Sequence, residues 1–136
     1  ADLLESGVWL NVSEPGRTAF EFLPFPRIAQ ISPAYASAFR DLNGDGFVDV
    51  VLAQNHDHRE PETGLWRGGV GQLLLGRGDG TFDPMSPLES GILLRGDATS
   101  LESVDVDDDG IADLVATQND DRVEVFLGRR GGGGSD

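Results

Sequence analysis

The sequence predicts an all-β chain, and three repeated stretches carry that expectation. An acidic loop, Asp41-Leu-Asn-Gly-Asp-Gly-Phe-Val-Asp49, returns 64 residues later as Asp105-Val-Asp-Asp-Asp-Gly-Ile-Ala-Asp113. A matched run follows each copy, Asp49-Val-Val-Leu-Ala-Gln-Asn55 and Asp113-Leu-Val-Ala-Thr-Gln-Asn119. Further on, Leu73-Leu-Leu-Gly-Arg77 is matched by Val125-Phe-Leu-Gly-Arg129.

The loops carry the chemistry. In the first, Asp41, Asn43, Asp45 and Asp49 put oxygen side chains at positions 1, 3, 5 and 9, and Phe47 at position 7 offers its carbonyl. In the second, Asp105, Asp107, Asp109 and Asp113 fill the same side-chain slots, and Ile111 holds position 7. Gly44 and Gly46 let the first loop fold tightly, and Gly110 matches Gly46. A hard divalent cation takes six to eight oxygens at about 2.3–2.6 Å, and alternate residues of a curled loop supply them. Both stretches therefore read as Ca²⁺ loops, two sites per chain. The alternative is a pair of plain Asp/Gly/Asn turns with no ion. An EF-hand would need a bidentate Glu at position 12 and flanking helices. Position 12 is Leu52 or Ala116, and the flanks are β-rich. A dockerin-like module fails for the same reasons.

The doubled loop and its matched strands resemble the FG-GAP/VCBS repeat family, over roughly residues 7–130. Gly78-Asp-Gly-Thr-Phe82 is similar to that family's turn between third and fourth strands. The resemblance implies β-propeller-type blades of four antiparallel strands, integrin-like, with each calcium loop joining strands one and two. It also implies that the ions stiffen the loops and offset their charge.

The elements follow in order on that expectation. Residues 1–33 would hold the outer strands of a partial blade. Residues 7–13 read as a strand, 14–16 as a turn and 18–23 as extended. Pro24 and Pro26 exclude a helix interior there. The run Trp9 to Phe20 reads as a copy of Leu73 to Phe82 with two extra turn residues, so the first strand is a third strand. Residues 27–32 would be its fourth. Residues 34–97 would form a complete blade, with strands at 35–42, 50–53, 70–76 and 89–95 and the calcium loop at 41–49. The unbroken apolar run 50–53 implies burial on both faces. Residues 98–130 would form a partial blade, with strands at 99–106, 113–118 and 122–128 and the loop at 105–113. Residues 131–136 read as a linker, a flexible end or a native glycine-rich turn.

This makes about two blades per chain. Propellers take four to eight blades, and each blade must bury a face on its neighbour. The ring is therefore expected to be completed by other copies of the chain or by further sequence. Residues 7–32 of one copy could complete the blade begun by 99–129 of another, with one strand left over.

Composition narrows the function. The net charge of −14, with no lysine, argues against nucleic acid and against anionic membrane surfaces. Two bound calcium ions would bring it to −10. Without them, the clustered carboxylates repel, so metal binding is expected to contribute to folding. There is no cysteine and no apolar run of membrane-spanning length. No leader segment is visible, so a secreted form would be mature or excised.

The connection after the first matched run is 12 residues longer than that after the second. It holds His56, Asp57, His58, Arg59, Glu60, Glu62 and Trp66. It reads first as a solvated acidic loop with one packed Trp. Recognition of a protein or glycan through residues 56–69 comes second, and a transition-metal site at His56 and His58 last. Arg-Gly-Asp occurs at 77–79 and 95–97, both at strand ends where Gly and Asp are ordinary turn residues. Asn11-Val-Ser13 fits the glycosylation pattern. No catalytic constellation is visible, and an ion accounts for the clustered acids. The expectation is a non-enzymatic, extracellular or cell-surface calcium-stabilised scaffold, adhesive or self-assembling.

Overall fold

The computed structural model describes residues 4–54, 69–96, 98–119 and 122–129. Its strands form three antiparallel sheets. Strands β1 (Gly7–Asn11) and β2 (Phe20–Pro24) pair as a hairpin. Strands β3 (Ala34–Arg40), β4 (Asp49–Gln54), β5 (Gln72–Gly76) and β6 (Phe82–Met85) form a four-stranded meander. Strands β7 (Ala98–Val104), β8 (Asp113–Gln118) and β9 (Glu124–Phe126) form a three-stranded one. The fold is all-β, as the doubled strands predicted.

The four-stranded sheet sits in the middle, and β4 explains why. Its residues are all buried, and side chains alternate across the pleat. Val50 and Leu52 pack with Leu74, Phe25 and Ala29, on the side that receives Val8 of the hairpin. Val51 and Ala53 pack with Leu73 against Leu101, Leu114 and Ala116 of the three-stranded sheet. Each large apolar side chain buried this way stabilises by about 1.5–3 kcal/mol. The unbroken apolar run is thus the signature of a sheet covered on both faces.

Matched positions keep matched pairings. Val50 faces Phe39 and Leu74 across the ladder, and Leu114 faces Ser103 and Phe126. Both meanders also carry an irregularity at the same place, between Ala34 and Ala36 and between Ala98 and Ser100.

The fourth strand departs from expectation twice. It lies at Phe82–Met85, not at 89–95. Residues 87–90 are instead one helical turn, Pro87–Ser90. Ser86 and Glu89 cap it reciprocally, with Pro87 in the first turn. Ile92 and Leu94 are buried, and the Leu94 N–H donates to the Val70 carbonyl at 2.7 Å. Their apolar character reflects packing outside any strand. Likewise, Arg27–Gln30 is a short 3-10 turn following Pro26 rather than an outer strand. The strand expected at 27–32 is β2.

The hairpin register is also corrected. Phe20 pairs with Asn11 as Phe82 pairs with Gly76. Trp9, opposite Phe22, therefore holds the place of Leu74, opposite Pro84, and not that of Leu73. The connection 12–19 has three more residues than 77–81. A turn closed by reciprocal backbone bonds of 2.9 Å between Glu14 and Arg17 extends it. Val8 then faces the central sheet while Trp9 stands 61% exposed, its ring 5.2 Å from that of Phe22.

Candidate metal centre

Each acidic loop connects two strands that are already paired. Loop one runs from the end of β3 to Asp49, the first residue of β4, with Arg40 opposite Asp49. Loop two runs from the end of β7 to Asp113, with Val104 opposite Asp113. Pairing brings the ends together, so the eight residues between must fold back sharply. Position 4 turns left-handed in both, at Gly44 (φ 79°) and Asp108 (φ 60°). Position 6 does the same at Gly46 (φ 90°) and Gly110 (φ 82°). Asp is among the few non-glycine residues enriched in this region.

The loops share their internal bonds. Position 1 accepts the position-6 N–H, at 2.9 Å from Gly46 to Asp41 and 2.8 Å from Gly110 to Asp105. Position 5 accepts the position-7 N–H at 2.8 Å, from Phe47 to Asp45 and from Ile111 to Asp109. Position 3 accepts the position-5 N–H, at 2.9 Å for Asn43 and 3.3 Å for Asp107. Successive N–H groups thus hold the side-chain oxygens against the backbone of the turn.

The two loops differ at position 3. The Asn43 amide donates to Asp45 Oδ2 at 2.9 Å. Asp107 has no such donor and meets Asp109 as a like charge. Loss of hydration within the loop first, then the Asp109 charge, raises the carboxyl of the exposed Asp107 above its usual range. The three carboxylates of Asp105, Asp107 and Asp109 offer oxygens within 4.8 Å of one another. All are oxygen donors of the kind a hard cation takes. Loop one cannot repeat this acidic trio, because Asn43 stands in its middle.

Position 9 is built differently from positions 1, 3 and 5. Asp49 and Asp113 are buried, at 0% and 1% exposure. Asp49 accepts from Leu42 N at 2.9 Å and from Gly76 N at 2.9 Å. Asp113 accepts from Val106 N and from Gly128 N, both at 2.7 Å. These two N–H bonds hold the Asp113 carboxyl below its usual range. Its oxygens lie outside the group formed by Asp105, Asp107 and Asp109. Asp49 and Asp113 fasten each loop to the end of the third strand.

That fastening identifies two residues not singled out from sequence, Gly76 and Gly128. A Cβ on Gly76 would collide with the Val48 carbonyl, and one on Gly128 with the Ala112 carbonyl. The matched Leu-Gly-Arg stretches were the available signal: the glycine lets the third strand approach the loop. Phe47 is 45% exposed, and its ring closes over Gly78.

The other motifs fall into place around this. In Arg77-Gly78-Asp79, Arg77 makes two bonds to Asp83, at 2.6 and 2.7 Å. Asp79 accepts from Thr81 N at 2.8 Å and Thr81 Oγ1 at 2.5 Å. The tripeptide is a turn whose charged ends are engaged. Asn11 is exposed at the end of β1, and its Oδ1 accepts from Ser13 N at 3.0 Å. The 56–69 recognition loop lies outside the described residues except for Gly69, as do Asp97 of the second Arg-Gly-Asp and the 131–136 tail. Among the described residues, no helix is long and apolar enough to cross a membrane.

A family model described as an FG-GAP-like repeat matches residues 41–116, more than half of the chain, and includes both loops up to β8. No curated protein matches the chain.

Proposed function

Since the chain belongs to the FG-GAP-like repeat family, we propose that this β-propeller-like module is a structural one stiffened by two calcium ions. Asp41, Asn43 and Asp45, with the Phe47 carbonyl, hold one ion, and Asp49 supports it from position 9 through its bonds to Leu42 and Gly76. Asp105, Asp107 and Asp109, with the Ile111 carbonyl, hold the other, and Asp113 supports it through its bonds to Val106 and Gly128. The observation that carries this reading is the convergence of Asp105, Asp107 and Asp109 within 4.8 Å. Like charges this close disfavour the folded loop until a cation joins them. Position 9 anchors each loop to the sheet, so an ion at the tip braces the hairpin between the first and second strands.

The role is non-catalytic, as a scaffold or adhesive element. An extracellular setting suits it, because modules working there bind calcium at about 10⁻⁴–10⁻³ M. The ring is completed by further blades or other copies. Supporting this are the exposed outer faces, with Trp9 at 61% and Val125 at 47%. A groove of about 440 Å³ beside β9 adds to it, lined by Leu73, Leu75, Met85, Leu114 and Phe126. It opens in the seam between the four-stranded and three-stranded sheets, next to β9, the edge strand of the latter.

Calcium titration with chelator reversal, followed by circular dichroism and light scattering together, tests both parts. The reading expects a reversible gain of β-signal with calcium. A signal indifferent to calcium and to chelator would refute the metal role. A folded calcium-loaded monomer would refute assembly from copies of this chain.

A further inference from the structure

We propose that Asn43 is a site of spontaneous deamidation, and that calcium in loop one shields it. The second half rests on the calcium reading above; the first does not.

Asn43 is exposed and followed by Gly44. The reaction begins when the Gly44 backbone nitrogen attacks Asn43 Cγ. Glycine leaves that nitrogen unobstructed, having no Cβ. The loop also supplies two aids. Asp41 Oδ1 accepts the Gly44 N–H at 2.7 Å, so a carboxylate is in place to take its proton. The Asp45 N–H donates to Asn43 Oδ1 at 2.9 Å, holding the oxygen on which negative charge develops. A bond forms between Gly44 N and Asn43 Cγ, and the Cγ–Nδ2 bond breaks. Ammonia leaves, carrying the proton that nitrogen gave up. Water then opens the ring at either carbonyl, giving aspartate or isoaspartate at position 43. No electrons are exchanged.

The two products diverge. Aspartate gives loop one the acidic set that loop two has through Asp107. Isoaspartate inserts a methylene into the backbone and misplaces every oxygen after it. A cation would draw Asp41 and Asn43 Oδ1 onto itself, removing the base and fixing the amide.

Asn11 is an internal control. Its Oδ1 is held the same way, by Ser13 N at 3.0 Å, but Val12 follows it. A β-branched neighbour is stiff and crowds the attacking nitrogen.

The test is incubation of the full chain at mildly alkaline pH, in chelator and in millimolar calcium, with peptide mass spectrometry and isoaspartate detection. In chelator, conversion at position 43 should exceed that at Asn11 several-fold, because the β-branched Val12 crowds the attacking nitrogen there. Calcium should slow it several-fold, and Asn43→Gln should abolish the signal at 43. An intact amide at 43 in chelator, or conversion no faster than at Asn11, overturns the proposal. Conversion at one rate with and without calcium overturns the shielding and counts against a metal in loop one, while leaving the chemistry standing.

Discussion

The buried carboxylate of Asp49 accepts the Gly76 N–H at 2.9 Å, joining the foot of the acidic loop to the end of the third strand. Asp113 and Gly128 repeat the contact at 2.7 Å. Asp49→Ala leaves the Gly76 and Leu42 donors without their acceptor. The buried Gly76 donor left unpaired costs about 1–3 kcal/mol, and the half-buried Leu42 donor less. Urea unfolding should show this loss in chelator as well as in calcium, because the bonds are to backbone.

The glycine side of the same contact is equally constrained. Gly76→Ala and Gly128→Ala each drive a methyl into a backbone carbonyl. Overpacking of this kind destabilises by about 1–3 kcal/mol. Thermal unfolding of the two variants should show similar losses, since the contacts are equivalent.

Position 3 of loop two should respond oppositely in the two metal states. The Asp107 carboxyl is raised by loss of hydration within the loop and by the Asp109 charge. A raised folded value stabilises fully below the unfolded pKa, and this is lost as pH rises through the folded value. Asp107→Asn should therefore raise the neutral-pH stability of the chelated protein and weaken its calcium binding. Denaturant midpoints with and without calcium read both effects.

Asp113 titrates in the other sense. The Val106 and Gly128 N–H groups hold its carboxyl down. Its stabilisation is present above the ordinary Asp value, about pH 4, and is lost as pH falls through the lower folded value. Acid unfolding of the chelated protein should carry this component, and Asp113→Asn should remove it.

Arg77 and Asp83 make a well-formed ion pair, yet their side chains are 61% and 54% exposed. Such pairs contribute about 0–1 kcal/mol. Arg77→Ala should shift stability by no more than that in physiological salt.

Much of this architecture could be read from the residues. The loops, the doubly covered β4 and the inner strands all announced themselves, because two faces of burial leave an unbroken apolar run. The division into two, four and three strands was also expected. The fourth strands were misplaced for a physical reason. Phe82–Met85 is short, partly exposed and contains Pro84, so it lacks the alternation of a buried strand. Ile92 and Leu94 carry the apolar signal nearby without pairing. The capping signature at Ser86, Pro87 and Glu89 was legible and marks the helical turn. The place of Trp9 depended on turn length, which alternation alone does not give. The role of Gly76 required seeing how closely two backbones approach.

Native mass spectrometry of the chain in millimolar calcium counts the ions directly. The account predicts two per chain, falling to one when Asp105→Ala disables the second loop. A folded chain carrying no calcium under those conditions would contradict it.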